Sequence, residues 1–339
     1  MEEGKNQYID LLKGISCIIV VFLHCPFPGV LGDGIIYGLR FSVPVFFMIS
    51  GYFSYSKSDK WVINKAFYIL KLLVFTELYY GIWRIMQECI LHGNKLQQVV
   101  EANILNKNVI QIIFCGTFFN GTLWYLYAMF WTWMIIWFLR KKGCLNKVFF
   151  LIPLLLFMQI FGRYYIQNNY DINKYVILFR NAFTFGLPFT LLGIWVAGKQ
   201  RELIKKISGL GNLCIIISGF LLIVIEFLLV GQYMDTHIST VVITLGLFLY
   251  MVRQKREVHK CLSVFVRIGS VWYVWIYLLH IFVSGVLKEL YKGFRIENSL
   301  IGQYVFPILV VIFSCFCSEV IIRFRSRWSN FISNKRRRR

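Results

Sequence analysis

The sequence predicts an all-α, polytopic membrane protein of about ten transmembrane helices with both termini in the cytoplasm. Three observations carry that expectation. Of the 339 residues, 58% are hydrophobic and 18% aromatic, more apolar material than one soluble core absorbs. Apolar stretches long enough to cross ~30 Å of hydrocarbon as a helix recur from end to end. Lysine and arginine collect in every second connection between those stretches.

In chain order the expected spans are 9–28, 41–55, 65–91, 122–139, 147–166, 178–197, 213–230, 238–252, 266–287 and 301–322. The span at 238–252 is the shortest. The segment 96–114 is less apolar, with Glu101, Lys107 and several Asn and Gln, and is expected outside the bilayer, in part as an interfacial helix. Connections after the second, fourth, sixth and eighth spans hold Lys57 and Lys60, then Arg140, Lys141 and Lys142, then Lys199, Arg201, Lys205 and Lys206, then Arg253, Lys255, Arg256 and Lys260. The tail adds Arg323, Arg325, Arg327 and "KRRRR". The opposite loops are poorer, with Arg40, then Lys95 and Lys107, then Arg163 and Lys174, then none, then Lys288, Lys292 and Arg295. An even number of spans with both termini inside accounts for that alternation. The chain divides into a membrane domain at 1–325 and a basic cytoplasmic tail at 326–339.

The net charge of +21 follows from the same topology, with anionic lipid as the partner. No soluble domain presents a basic face with interleaved aromatics, so nucleic acid is not an expected partner. The first span is too long and too polar inside for a cleaved signal peptide and is expected to stay in the mature protein. Nine cysteines, mostly within apolar runs, show no paired spacing for zinc or a disulfide framework. They read as small packing residues, and no metal site is expected. There is no Gly-rich phosphate loop, no HExxH and no GxSxG.

Function enters with the polar residues inside the spans, because such groups usually face a bundle interior or a watery cavity. At ~1.5 Å per residue, His24 in "LLKGISCIIVVFLHC" sits about 22 Å above the cytoplasmic end of its helix. His280 in "SVWYVWIYLLHIFV" reaches about 21 Å and Glu226 in "GFLLIVIEFLL" about 20 Å by the same rise. Arg180, Arg40, Trp124 and Tyr125 enter the same outer layer from the tops of their spans. Six helices thus bring polar or amphipathic groups to one depth. A different set, Lys13, Lys65 and Lys71, lies in the first turns on the cytoplasmic side. Positive-inside topology with snorkelling side chains explains each of them singly. Together they also suit the phosphates of an anionic donor arriving from the cytoplasm.

Five strings then carry a resemblance. Lys13 and His24, with ten residues between them, resemble the Arg-(ten residues)-His signature of the membrane acyltransferase 3 family. "VPVFFMISGYF" at 43–53 is similar to the end of its second helix, "GTLWYLYAMF" to its Leu-Trp-Tyr/Phe-Leu motif, "RNAFTFGLPFTLLG" at 180–193 to its Arg-Asn helix, and "GSVWYVWIYLLH" at 269–280 to its closing Ser-x-x-x-Tyr-Leu-x-His helix. Within the family the likeness is greatest to Gram-positive members, including the membrane half of the vancomycin-resistance serine racemases. Those carry an additional soluble pyridoxal-phosphate domain, whereas this sequence ends in "KRRRR", and racemisation is not expected.

The resemblance implies transfer of an acyl group, usually acetyl, from cytoplasmic acyl-CoA to a hydroxyl of an extracytoplasmic or lipid-linked glycan, in a bacterial cell membrane. Lys13, Lys65 and Lys71 would hold the donor's phosphates. His24 would act as general base on the acceptor hydroxyl, or take the acyl group itself, and Glu226 would orient it. Arg180 would bind an acceptor group or stabilise the developing oxyanion. Arg40, Trp124, Tyr125 and His280 complete the acceptor side. The sequence departs from the family in three places: Lys13 replaces the usual Arg, Tyr68 follows Lys65 where a second Arg is common, and Thr122 precedes Leu123 where His is common. A Lys keeps the charge but loses the bidentate fork. Read from the residues alone, the chain also fits a transporter or flippase with His24 and Glu226 as a proton relay, or a ligand-sensing member without turnover.

Overall fold

The computed structural model describes residues 6–105, 109–116, 118–231 and 234–337, so Lys107 and the last two arginines lie outside it. The described chain is helical with no strand. Its main helices are α1 (Gln7–His24), α2 (Gly29–Gly38), α3 (Ser42–Ser54), α4 (Asp59–Ile85), α5 (Trp124–Lys141), α6 (Leu151–Phe157), α7 (Arg163–Asn169), α8 (Leu187–Lys206), α9 (Gly209–Val230), α10 (Ile238–Arg253), α11 (Ser263–Arg267), α12 (Tyr273–Gly293) and α13 (Leu300–Arg337). Among the described residues, eight helical stretches are long and apolar enough to cross a membrane. The chain is a multi-pass, all-α membrane protein.

The two remaining expected spans are helical too. α10 has only sixteen residues. The stretch at 147–166 becomes α6, a π-turn at Met158–Gly162 and α7, and Gln159 and Arg163 lower its apolar character. The segment expected outside the bilayer forms short helices at Leu96–Val100 and Val109–Cys115. The basic residues at 326–337 continue α13 rather than leaving it.

The chain forms two compact units, Met1–Ser42 with Leu247–Arg339, and Val43–Gly246. In the first, α1 packs on α11, on the π-turn Ile268–Trp272 and on α12, and α12 packs along α13. The α1 crossing rests on Gly14 and Gly269. A Cβ on Gly14 would run into the Phe265 carbonyl, and one on Gly269 into that of Asp10. Between lipid-facing helices there is little hydrophobic drive to associate, so close backbone approach through small residues supplies the packing. Asn6 caps α1 by accepting from the amides of Tyr8 (3.0 Å) and Ile9 (3.3 Å). At the other end the Cys25 amide closes the last turn on Val21 O at 2.8 Å. Pro26 and Pro28 have no N–H to continue the ladder, so the helix stops with His24 in its final turn.

In the second unit α4 runs along α5, tied by the Tyr127 hydroxyl on Glu77 at 3.1 Å. α3 crosses α8 by the same small-residue device. A Cβ on Gly51 would meet Thr190 O, and one on Gly193 would meet Met48 O. Arg140 donates to the carbonyls of Ser54 and Lys57, each at 2.7 Å, and so satisfies the open C-terminal end of α3. α9 crosses α10 at Gly219 and Gly246, where Asn212 Nδ2 donates to Gly246 O at 3.0 Å. Leu221, Val224, Leu228 and Leu229 of α9 are exposed, as suits side chains whose solvent is lipid.

Candidate active site

The site in the first unit is built where α1 ends. His24 is exposed and opens on a cavity of about 470 Å³, walled also by Cys25, Pro26, Phe27, Pro28, Lys288 and Phe306. His280 of α12 lies beside it, with ring centroids 5.4 Å apart and ring planes 35° from parallel. The two imidazoles placed at one depth by helix rise are therefore neighbours.

Their surroundings differ. His280 is fully buried. Its Nδ1 lies 2.8 Å from Tyr277 O and 3.1 Å from Ile276 O, and because a carbonyl only accepts, Nδ1 carries the proton. Nε2 of the neutral ring is then a lone pair, and it has no hydrogen-bond partner among the described residues. A buried acceptor left without a donor is costly, so such an atom calls for a hydrogen-bonding neighbour that arrives with the chemistry. His24, in the final turn of α1, presents its ring to the cavity. An exposed imidazole that can gain a proton beside a buried one that offers a lone pair is a general-base arrangement.

Lys13 lies in the N-terminal half of α1, toward the end opposite His24. Its ammonium pairs with Asp10 at 2.7 Å and lies 5.0 Å over the Tyr273 ring. Arg40, in the turn after α2, donates from Nε to Ile36 O at 2.8 Å.

The other expected site residues belong to the second unit. Arg180 forks onto Asp235, with Nη2 at 2.8 Å and Nε at 3.2 Å from both oxygens. Its guanidinium is 6.0 Å from the Trp124 ring, which packs edge-on against Phe185. Tyr125 packs edge-on against Phe47 at 4.9 Å. Thus Arg180 and Trp124 are brought together, while Tyr125 points into an aromatic cluster. Asn181 caps the π-turn Ala182–Gly186 by accepting from the amides of Phe183 and Thr184, which starts the helix directly after Arg180. Both oxygens of Glu226 are engaged at the start of α10, by the Ile238 amide at 2.8 Å and by the Ser239 amide and hydroxyl. His237 Nδ1 is 4.0 Å from the same carboxylate. Lys65 lies 5.3 Å over the Tyr68 ring. Lys71 is exposed on the face of α4 that also exposes Phe67, Tyr68, Val74 and Phe75, the setting of a snorkelling side chain.

Three further polar residues, Asp235, Gln159 and His237, went unread in the sequence, and Arg163 was read only as a loop charge. Asp235 is buried and takes Arg163 (Nη1 at 3.5 Å) as well as Arg180, so two guanidinium groups share one carboxylate. Gln159, in the π-turn one helical turn before Arg163, is fully buried with both amide atoms unpartnered among the described residues. π-turns of this kind often mark functional positions. An acid and a histidine in "MDTHIST", a loop free of Lys and Arg, were the available signal. Among the described residues no group of three metal-ligating side chains occurs.

The comparisons with known proteins agree with the strings read above. A family model described as an acyltransferase domain matches residues 6–321, nearly the whole chain. Among curated proteins and among solved structures nothing matches. The chain belongs to the acyltransferase 3 family, and it is a membrane acyltransferase.

Proposed function

We propose that the protein is an acyl-CoA-dependent O-acyltransferase of a bacterial cell membrane, moving an acyl group, acetyl first of all, onto a hydroxyl of an extracytoplasmic or lipid-linked glycan. The observation that supports this reading best is His24, exposed on a cavity at the end of α1 and backed by the buried His280. In the proposed step the neutral His24 imidazole takes the proton of the acceptor hydroxyl as its oxygen attacks the thioester carbonyl. The carbon–sulfur bond then breaks, an ester remains on the acceptor, and the imidazolium returns its proton to the departing CoA thiolate. His280 is a positioning residue, whose lone pair at Nε2 holds His24 or the acceptor hydroxyl in line.

Lys13 is the donor-side cation of the first unit, and its ammonium exchanges Asp10 for phosphate when the donor binds. Lys65 and Lys71 keep the donor-phosphate role in this proposal, and Arg40, Arg180, Trp124 and Tyr125 the acceptor-side role. Glu226, with partners of its own, is given no step. The orientation follows the charge asymmetry of the loops, with the donor side inward and the cavity at His24 outward.

Incubating the purified full chain in lipid nanodiscs with radiolabelled acetyl-CoA and a cell-envelope extract, alongside His24→Ala, tests this. Label should enter the extract with wild type and fall by about 10²–10⁴-fold in the variant, the usual worth of a positioned general base. Absence of transfer, with CoA giving no thermal protection, would replace the enzyme by the transporter reading.

A further inference from the structure

The cavity at His24 has a charge pattern that the general reaction does not require. His280, Ser284, Lys288 and Lys292 follow one another at intervals of four residues and so share one face of α12. His280 and Ser284 are buried, whereas Lys288 and Lys292 are exposed and line the cavity wall. That face climbs from the buried imidazole to two ammonium groups. Cys25, next to His24, faces Ser284 and lies within the field of Lys288.

Lys288 has no ion pair among the described residues. Lys292 has Glu289 at 3.4 Å, with both side chains partly exposed, and a pair of that kind is weak enough to be exchanged for a ligand. Among the described residues, the one carboxylate on the cavity wall is Glu297. Phe27, Phe306 and Tyr291 supply the apolar surface, with Tyr291 packed edge-on on Phe306 at 5.2 Å. At about 470 Å³ the space falls within the range of small-ligand sites, roughly 300–1,000 Å³. Topology alone does not call for these lysines, since the loop between α12 and α13 is one of the cation-poor set.

We propose that the acceptor carries an anionic group, a phosphate or a carboxylate, held by Lys288 and Lys292 while a hydroxyl of the same molecule reaches His24. This rests on the acyltransferase reading, and it makes the two lysines determinants of acceptor specificity. Glu297 stands against a second negative charge on the acceptor's far side.

Carbethoxylation of His24 by diethyl pyrocarbonate, followed by site-resolved mass spectrometry on the full chain in phosphatidylcholine nanodiscs, reads occupancy of this cavity without any turnover. Glucose 6-phosphate and glucuronate, at about four times their Kd, should slow modification about five-fold, and glucose should not. The exposed double variant Lys288→Gln/Lys292→Gln should lose that protection. Nanodiscs of phosphatidylglycerol separate the sources. Protection by the lipid alone, lost in the double variant, assigns the anion to a lipid headgroup, and protection only by added sugar assigns it to a free acid or phosphate. Equal protection by glucose, or full protection in the double variant, overturns the proposal. The two readings also fail separately. Transfer with equal kcat/KM to neutral and anionic acceptors defeats the charge assignment alone, whereas intact charge-dependent protection without transfer to any acceptor defeats acyl transfer alone.

Discussion

His280 shows how one residue's surroundings fix its chemistry. Two carbonyls of its own helix hold Nδ1–H, and Nε2 is buried with no donor among the described residues. If that lone pair positions His24 or the acceptor hydroxyl, His280→Leu should lower kcat by about 10²-fold or more while leaving the KM for acyl-CoA near its original value. His280→Gln, which keeps an acceptor oxygen, should recover part of the loss. The pH–rate profile should change in the Leu variant, because the general base is no longer held in line with the acceptor hydroxyl. A purely structural His280 would instead reduce the yield of folded protein and leave the profile of the survivors unchanged. The Asp235 pair of guanidinium groups is a different use of buried charge. Its bidentate fork from Arg180 and second contact from Arg163 form a rigid polar knot, in which loss of one partner strands the others.

At the scale of the element, the glycine crossings decide which helices meet. Gly14→Leu should abolish recovery of monodisperse protein, because its side chain would displace the α11 backbone at Phe265 and the contact has no flexible side chain to yield. Gly34 is the control. It sits exposed within α2 with nothing near a new Cβ, so Gly34→Ala should be neutral or stabilise by about 0.5–1 kcal/mol in thermal unfolding. Hydropathy made most spans legible, since lipid asks only for length and apolarity, and eight stretches meet that demand. It did not show where helices break. The π-turns at Met158–Gly162 and Ile268–Trp272 depend on what packs beside them rather than on local composition. Helix rise put His24 and His280 at one depth, but their azimuths came only with packing. Depth likewise gave Glu226 no neighbour, and the structure supplies the start of α10. Lys288 and Lys292 were read as loop charges because the sequence does not say that α12 carries them to Gly293 as one face.

For the whole molecule, the claim that matters most is sidedness, since the proposed transfer, from a cytoplasmic donor to an acceptor outside, requires His24 at one end of α1 and Lys13 toward the other. The charge asymmetry assigns the α5–α6 and α10–α11 connections to the cytoplasm and the end of α4 to the outside. Native cysteines already mark those places. Cys261 is exposed and Cys144 half-buried in the two connections assigned inward, and Cys89 is half-buried in the π-turn Met86–Leu91 that follows α4 and ends the third stretch. A membrane-impermeant maleimide applied to intact cells should therefore label Cys89 and spare Cys144 and Cys261, which should react only after permeabilisation. A single-cysteine series would assign each label to its residue, with Asn298→Cys as a second outward marker in the α12–α13 connection. Labelling of Cys261 in intact cells would invert the protein. His24 and its cavity would then face the cytoplasm together with the acyl-CoA pool, and the acceptor would have to be a cytoplasmic molecule or a lipid-linked one awaiting export. The same four positions thus decide on which side of the membrane the ester is made.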